Sequence, residues 1–328
     1  MIPAPVLTPM LDPETGDPIL DPTSGLPIYP TLTPTATATP TRVFTRTPHP
    51  ARTPTPGVVA NLPLDGSSTN VALADNLAYL SAKGAGLHVV DVGDIDNPVL
   101  ITTIPGSPDD VVVEGDLLLV LHVGDDIPLR AYDMSEPAEP RELLVPPGIR
   151  CETFGGVAVE NGLAVVSGGD APMTVLDVSS PEDIQIAATF AKEIGFAKVT
   201  LDEGLAFLSG EVGGDPRYGI LVYDLANPAD PRLVQYLRVP GLGRLSRVRA
   251  PGNYDLEVEV AGSLLLVAGG GRLSAISILP LSQADLVVSL LASEDAVHVA
   301  WDGRLVVVSG VDLTLYDASV QPRVVRLQ

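Results

Sequence analysis

"VALADNLAYLSAKGAGLHVVDVGDIDNPVLITTI" occupies Val71–Ile104. Two runs rich in Val, Leu, Ala and Tyr flank Asp75-Asn76, a polar pair that reads as a hairpin turn. A second reversal follows at Lys83–Ala85, then the apolar run "GLHVV", then Asp91 and a polar turn that reaches Asn97-Pro98. One more β-rich run, "VLITTI", ends the unit. Four short strands in meander order fill the stretch. No length remains for a crossover helix, which argues against a parallel α/β sheet.

The unit recurs along the chain at a period of roughly 45 residues. Its hairpin reappears as "VVVEGDLLLVL", "VAVENGLAVVS", "VTLDEGLAFLS", "VEVAGSLLLVA" and "HVAWDGRLVVVS". Asn161-Gly162 and Asp302-Gly303 are dipeptides that favour a type I′ turn. The strand-end acid returns as Asp91, Asp133, Asp177, Asp224 and Asp317, with Ser277 in the fifth unit. An Asp at a strand end accepts hydrogen bonds from the amides of the turn that follows, so these five are expected to be structural.

Runs such as "LLLVL" and "LVVVS" are apolar without alternation, so both faces of those strands must be covered. The expected fold is all-β: a six-bladed β-propeller of four-stranded meander blades over residues 57–328. "GVVANLPLDG" (Gly57–Gly66) reads as an additional outer strand. It could latch the last blade, pair with a neighbouring molecule, or mark an incomplete seventh blade; internal closure is the preferred reading.

Residues 1–56 have a different composition and are expected to form an extended Pro/Thr-rich N-terminal arm. A tandem nonapeptide, "LDPETGDPI" then "LDPTSGLPI", opens the arm with two Asp-Pro turns. "TLTPTATATPTRVFTRTPHPARTPTPG" follows; its prolines favour extended polyproline II. Thr-Pro tracts of this kind carry O-linked sugars, here on Thr33, Thr35, Thr37, Thr39, Thr41, Thr45, Thr47, Thr53 and Thr55, or serve as plain linkers. Val43 and Phe44 are apolar residues that a spacer does not need and a docked arm does. The first residues hold no basic stretch followed by an apolar one, so the chain lacks a standard export signal or residue 1 is not the native start.

Formal net charge is −22, a surface that excludes a nucleic-acid partner. No apolar run approaches the roughly 18 residues of a membrane span. Cys151 is the single cysteine, and His49, His88, His122 and His298 lack metal-ligand spacing. No metal or cofactor is expected. No Ser-His-Asp set, nucleophile elbow or phosphate loop is present, so no catalytic residue is assigned. The loops between second and third strands carry Asp125, Asp126, Asp170, Glu211, Asp215 and Asp312, an acidic face that could hold Ca²⁺ or another ligand. The blade-to-blade loop Gly241–Glu257 holds Arg244, Arg247 and Arg249, which suit an acidic partner such as a second copy of this chain.

"GLHVVDVGDIDNPVLITTI" resembles the repeat of the LVIVD-repeat family of prokaryotic surface propellers. The resemblance starts at Asn76–Ile104 and recurs to Gln328; "SAISILPLSQ" departs from it by lacking the Asp. It implies an extracellular or cell-surface location and supplies no catalytic residues. The expected function is a non-catalytic structural or adhesive propeller that assembles, through its arm, with copies of itself or other surface proteins and carries covalent glycans. The alternative is a ligand- or protein-binding propeller acting through the acidic loop face.

Overall fold

The computed structural model describes residues 60–151, 155–168, 171–190, 195–211, 218–239, 257–269, 272–279, 281, 284–291, 298–301, 305–309, 313–317 and 325–326. The chain divides into two units, Met1–Gly57 and Val58–Gln328. The arm threonines, Val43, Phe44, Arg244, Arg247 and Arg249 lie outside the described residues, as do Asp170, Asp215 and Asp312.

The second unit is built from antiparallel meanders. The first blade is β1 (Ser67–Ala74), β2 (Leu77–Lys83), β3 (Gly86–Asp91) and β4 (Val99–Ile104). The second is β5 (Asp110–Glu114), β6 (Leu117–Leu121), β7 (Leu129–Asp133) and β8 (Arg141–Leu143). The third is β9 (Gly155–Glu160), β10 (Leu163–Gly168), β11 (Ala171–Asp177) and β12 (Gln185–Phe190). The fourth is β13 (Gly195–Asp202), β14 (Leu205–Glu211), β15 (Tyr218–Asp224) and β16 (Arg232–Arg238). The fifth is β17 (Glu257–Ala261), β18 (Leu264–Gly269), β19 (Arg272–Ser277) and β20 (Asp285–Leu291). A sixth sheet holds β21 (His298–Trp301), β22 (Leu305–Ser309), β23 (Leu313–Asp317) and β24 (Val325–Arg326).

Blades stack through their apolar faces. Tyr79, Leu87 and Val89 of the first blade pack on Val111, Leu118 and Val120 of the second. Leu119, Leu129 and Ala131 of the second pack on Val157, Ala164 and Val166 of the third. Phe207, Ile220 and Val222 of the fourth meet Val258, Leu265 and Val267 of the fifth. The middle strands carry apolar residues on both sides because a blade lies on each side. β6, "LLLVL", is buried at all five positions.

The expectation of six equal blades closing a ring is corrected. Five four-stranded antiparallel blades, β1–β20, make the propeller. The sixth sheet has an outer strand of two residues, Val325–Arg326. Its β21 packs on β17 and β18, but among the described residues it does not form with β1 a seam like the one that joins each earlier pair of first strands. Val71 and Leu73 of β1 are accordingly 55% and 69% exposed, whereas Val111 and Val157, in the place of Val71, are 1% and 3% exposed. The expected additional strand at Gly57–Gly66 is also corrected: its described part, residues 60–66, is not a strand.

Turn chemistry fixes each blade. Hairpin turns between first and second strands have positive φ at their first residue: Asp75, Gly115, Asn161, Glu203 and Gly262. Asn161-Gly162 has φ of 52° and 76°, the pairing a type I′ turn requires. After the third strand, the next amide donates back to that hairpin turn: Val92 to Asn76 O, Met134 to Asp116 O, Val178 to Gly162 O, Leu225 to Gly204 O and Ile278 to Ser263 O. Each meander is thus tied at one end by a repeated backbone bond.

Candidate functional site at the blade axis

The strand-end acids act on their own turns. Gly93 N–H donates to Asp91 Oδ1 at 2.8 Å, Ser135 to Asp133 at 2.9 Å, Ser179 to Asp177 at 3.0 Å and Ala226 to Asp224 at 2.8 Å. The Ser135 amide and the Arg141 guanidinium hold the Asp133 carboxyl down to about 2. The Ser179 hydroxyl and amide lower that of Asp177. Asp317 ends β23, and its side chain is outside the described set. Each of these four carboxylates accepts from the amide two residues on, so the geometry is that of a structural cap.

A different column of residues converges at the axis. In the five blades β1–β20 the residue just before the first valine of the hairpin is Asn70, Asp110, Gly156, Lys198 or Glu257. All five belong to the first strands, which pack successively on one another. Asp110 is 4% exposed. Its Oδ1 accepts from Asn70 Nδ2 in the first blade and from its own neighbour, Val111 N–H, at 3.0 Å. Its Oδ2 accepts from Val157 N–H in the third blade at 3.2 Å, and Lys198 Nζ of the fourth blade lies 3.7 Å away. One carboxylate therefore joins four blades.

Gly156 makes the span across the third blade possible. A Cβ there would stand 3.3 Å from Lys198 Cδ and 3.5 Å from Asp110 Oδ2. A larger side chain would fill the gap through which the pair meets. Burial pushes the Asp110 carboxyl up, and Glu257 adds to this; Lys198 and the amides of Val157 and Val111 pull the other way. Three hydrogen bonds and the nearby Lys198 ammonium engage both of its oxygens, so the carboxylate is built into the fold.

Acids below this hub face one another along the first strands. Burial, then Glu257 and Asp202, push the Glu259 carboxyl up to about 7. Burial raises Asp202 too, with Glu160 and Glu203 contributing. At the hairpin end, Glu114 accepts from the Asn161 and Gly162 amides of the next blade at 2.5 and 3.0 Å. Glu160 repeats this one blade on, accepting from Glu203 and Gly204 at 3.1 and 3.3 Å. Each is a bidentate latch across a blade boundary.

On the loop face, Asp125 and Asp126 are exposed. Asp125 Oδ2 stands 4.0 Å from Nδ1 of the buried His122. Burial lowers the tendency of His122 to charge, and Arg130 adds to that effect. Cys151 is buried, and burial pushes its thiol up to about 12, so it stays protonated and poorly nucleophilic. Among the described residues no group of three or more His, Cys, Asp or Glu could hold a metal ion. No helix among them is long and apolar enough to cross a membrane.

The sequence reading missed the axial column and the two latches. The signal was present: aligning the hairpins by their first valine places Asn70, Asp110, Lys198 and Glu257 in one register, and Glu114 with Glu160 in another.

Four-stranded antiparallel blades around this axis define a β-propeller. Among solved structures the chain is similar to a functionally unknown protein from Desulfotomaculum acetoxidans, with a TM-score of 0.61 and 14% identity over 80% of this chain and 86% of that one. It also matches the computationally designed Ika8 protein at a TM-score of 0.49 and 10% identity, over 79% and 83% of the two chains, a likeness too distant to argue from. The first likeness concerns the fold alone. No family model matches the chain. No curated protein matches it either.

Proposed function

We propose that this chain is a non-catalytic extracellular β-propeller of structural or adhesive role, which assembles with copies of itself or with other surface proteins through residues 1–56. The observation that carries this reading is the use made of the inner-strand carboxylates. Asp110, Glu114 and Glu160 are spent on amides and side chains of neighbouring blades rather than held free toward a cavity. A propeller with its polar axis committed in this way serves as a rigid body. The resemblance of its repeat to LVIVD-repeat surface propellers supports the location, and the Thr-Pro tract of the arm supports its glycosylation.

The test is the sedimentation of the full chain beside a chain lacking residues 1–56. The full chain is expected to exceed its monomer mass of 34.1 kDa, and the truncated chain to sediment as a folded monomer. Equal association with and without the arm would remove the arm from the account.

A further inference from the structure

Asn161 is the one asparagine of the chain that a glycine follows. With Gly162 it makes the turn between β9 and β10. The other four blades close the equivalent turn differently, with Asp75-Asn76, Gly115-Asp116, Glu203-Gly204 and Gly262-Ser263. An Asn-Gly pair has a reactivity of its own. The glycine nitrogen can attack the asparagine Cγ to close a five-membered ring, because the glycine has no Cβ to crowd the approach. Asn161 is exposed, so water reaches its side-chain amide.

The fold holds the attacking nitrogen in place. Gly162 N–H donates to Glu114 Oε2 of the second blade at 3.0 Å, beside the bond from Asn161 N–H to Oε1. Gly162 O accepts from Val178 N–H at 2.8 Å. Gly162 also lies against Ser179, since a Cβ on it would stand 2.9 Å from Ser179 Cβ. Removing the Gly162 proton would leave a nitrogen anion facing the Glu114 carboxylate, which opposes its loss. Turning that nitrogen toward Asn161 Cγ requires the turn to release Glu114.

We propose that Asn161 is a deamidation site gated by the Glu114 latch at the boundary of the second and third blades. In the open turn a solvent base takes the Gly162 N–H proton, and the nitrogen electron pair forms a bond to Asn161 Cγ. The Cγ–Nδ2 bond breaks, and the side-chain nitrogen leaves as ammonia after taking a proton from water. Water then opens the cyclic imide at either carbonyl, giving aspartate or isoaspartate. Nothing is oxidised or reduced, and water is the co-reactant. Either product places a carboxylate beside Glu114. Isoaspartate also adds a methylene to the main chain, so the two amides no longer meet one carboxylate together. The fourth blade shows the milder case. Its turn already carries Glu203, and Glu160 accepts from Glu203 and Gly204 at a longer 3.1 and 3.3 Å. Conversion therefore opposes reclosure of the latch, and the step runs one way.

The experiment is peptide mass spectrometry of the full chain held at mildly alkaline pH, reading acid in place of amide at Asn161. The parent in urea reports the unguarded reaction. Glu114→Ala opens the latch, and Glu160→Ala removes the equivalent latch one blade on while leaving Glu114 in place. Asn161 is expected to convert in urea ahead of every other asparagine, and at least about tenfold more slowly in the folded parent. Glu114→Ala is expected to raise the folded rate about tenfold, the gain in local opening that follows from losing its hydrogen bonds. Glu160→Ala is expected to convert at the parent's rate, which separates the latch from a general loss of stability. No conversion in urea, equal rates in the folded and unfolded parent, or equal rates in Glu114→Ala and the parent each overturn the proposal. So does a Glu160→Ala chain that converts as fast as Glu114→Ala, because global unfolding would then control the reaction. The converted parent, once refolded, is expected to melt below the unconverted chain; equal melting contradicts the one-way step.

Discussion

Glu259 is the residue whose environment makes the sharpest claim. Its carboxyl sits at about 7 instead of 4.5 because it is buried beside Glu257 and Asp202. A raised value means that the fold prefers the protonated form. The contribution to stability is fully present below 4.5 and is lost as pH rises through about 7. Glu259→Gln keeps the shape and removes the charge. Melting of this variant across pH is expected to exceed the parent's above neutrality by roughly 1–3 kcal/mol in stability, and to converge with it below the ordinary carboxylate range. Parallel melting curves for the two chains at all pH values would show that Glu259 is not desolvated.

At the scale of elements, the blade boundary is held by apolar stacking and by the two carboxylate latches. Glu114 satisfies both amides of the Asn161-Gly162 turn, which a type I′ hairpin turns outward. Glu114→Ala is expected to lower stability by about 1–2 kcal/mol in urea titration, with exchange of the Asn161 and Gly162 amides accelerated ahead of the rest. Unchanged protection of these two amides would show that water replaces the latch at no cost. Meander order, strand lengths and the turn acids were legible in the sequence because they arise from local rules: alternation of apolar runs, Asn-Gly dipeptides, an Asp two residues before a turn amide. The latches were not, because Glu114 and Asn161 are brought together only by the stacking of two blades. Blade closure was not legible either. Six hairpins are countable in the sequence, but whether β21 covers Val71 and Leu73 depends on the angle accumulated from blade to blade.

For the whole molecule, Asp110 is where separate meanders become one body. It reaches Asn70, Val157 and Lys198 from three other blades, and the absent side chain of Gly156 opens the path. Burial disfavours its charge while its partners require it, so the net worth of the ion pair is small and the cost of removing one partner is large. That commitment makes the axis a structural tie, and it is the observation on which the proposed structural role rests. The direct measurement is equilibrium unfolding of Asp110→Ala in urea, followed by a backbone signal and by a side-chain signal together. A loss of about 3 kcal/mol in one cooperative transition is expected, since the Val111 and Val157 amides and Asn70 lose a buried acceptor and Lys198 a neighbouring charge. An unfolding midpoint equal to the parent's would contradict it, because Asp110 would then be free for some other task.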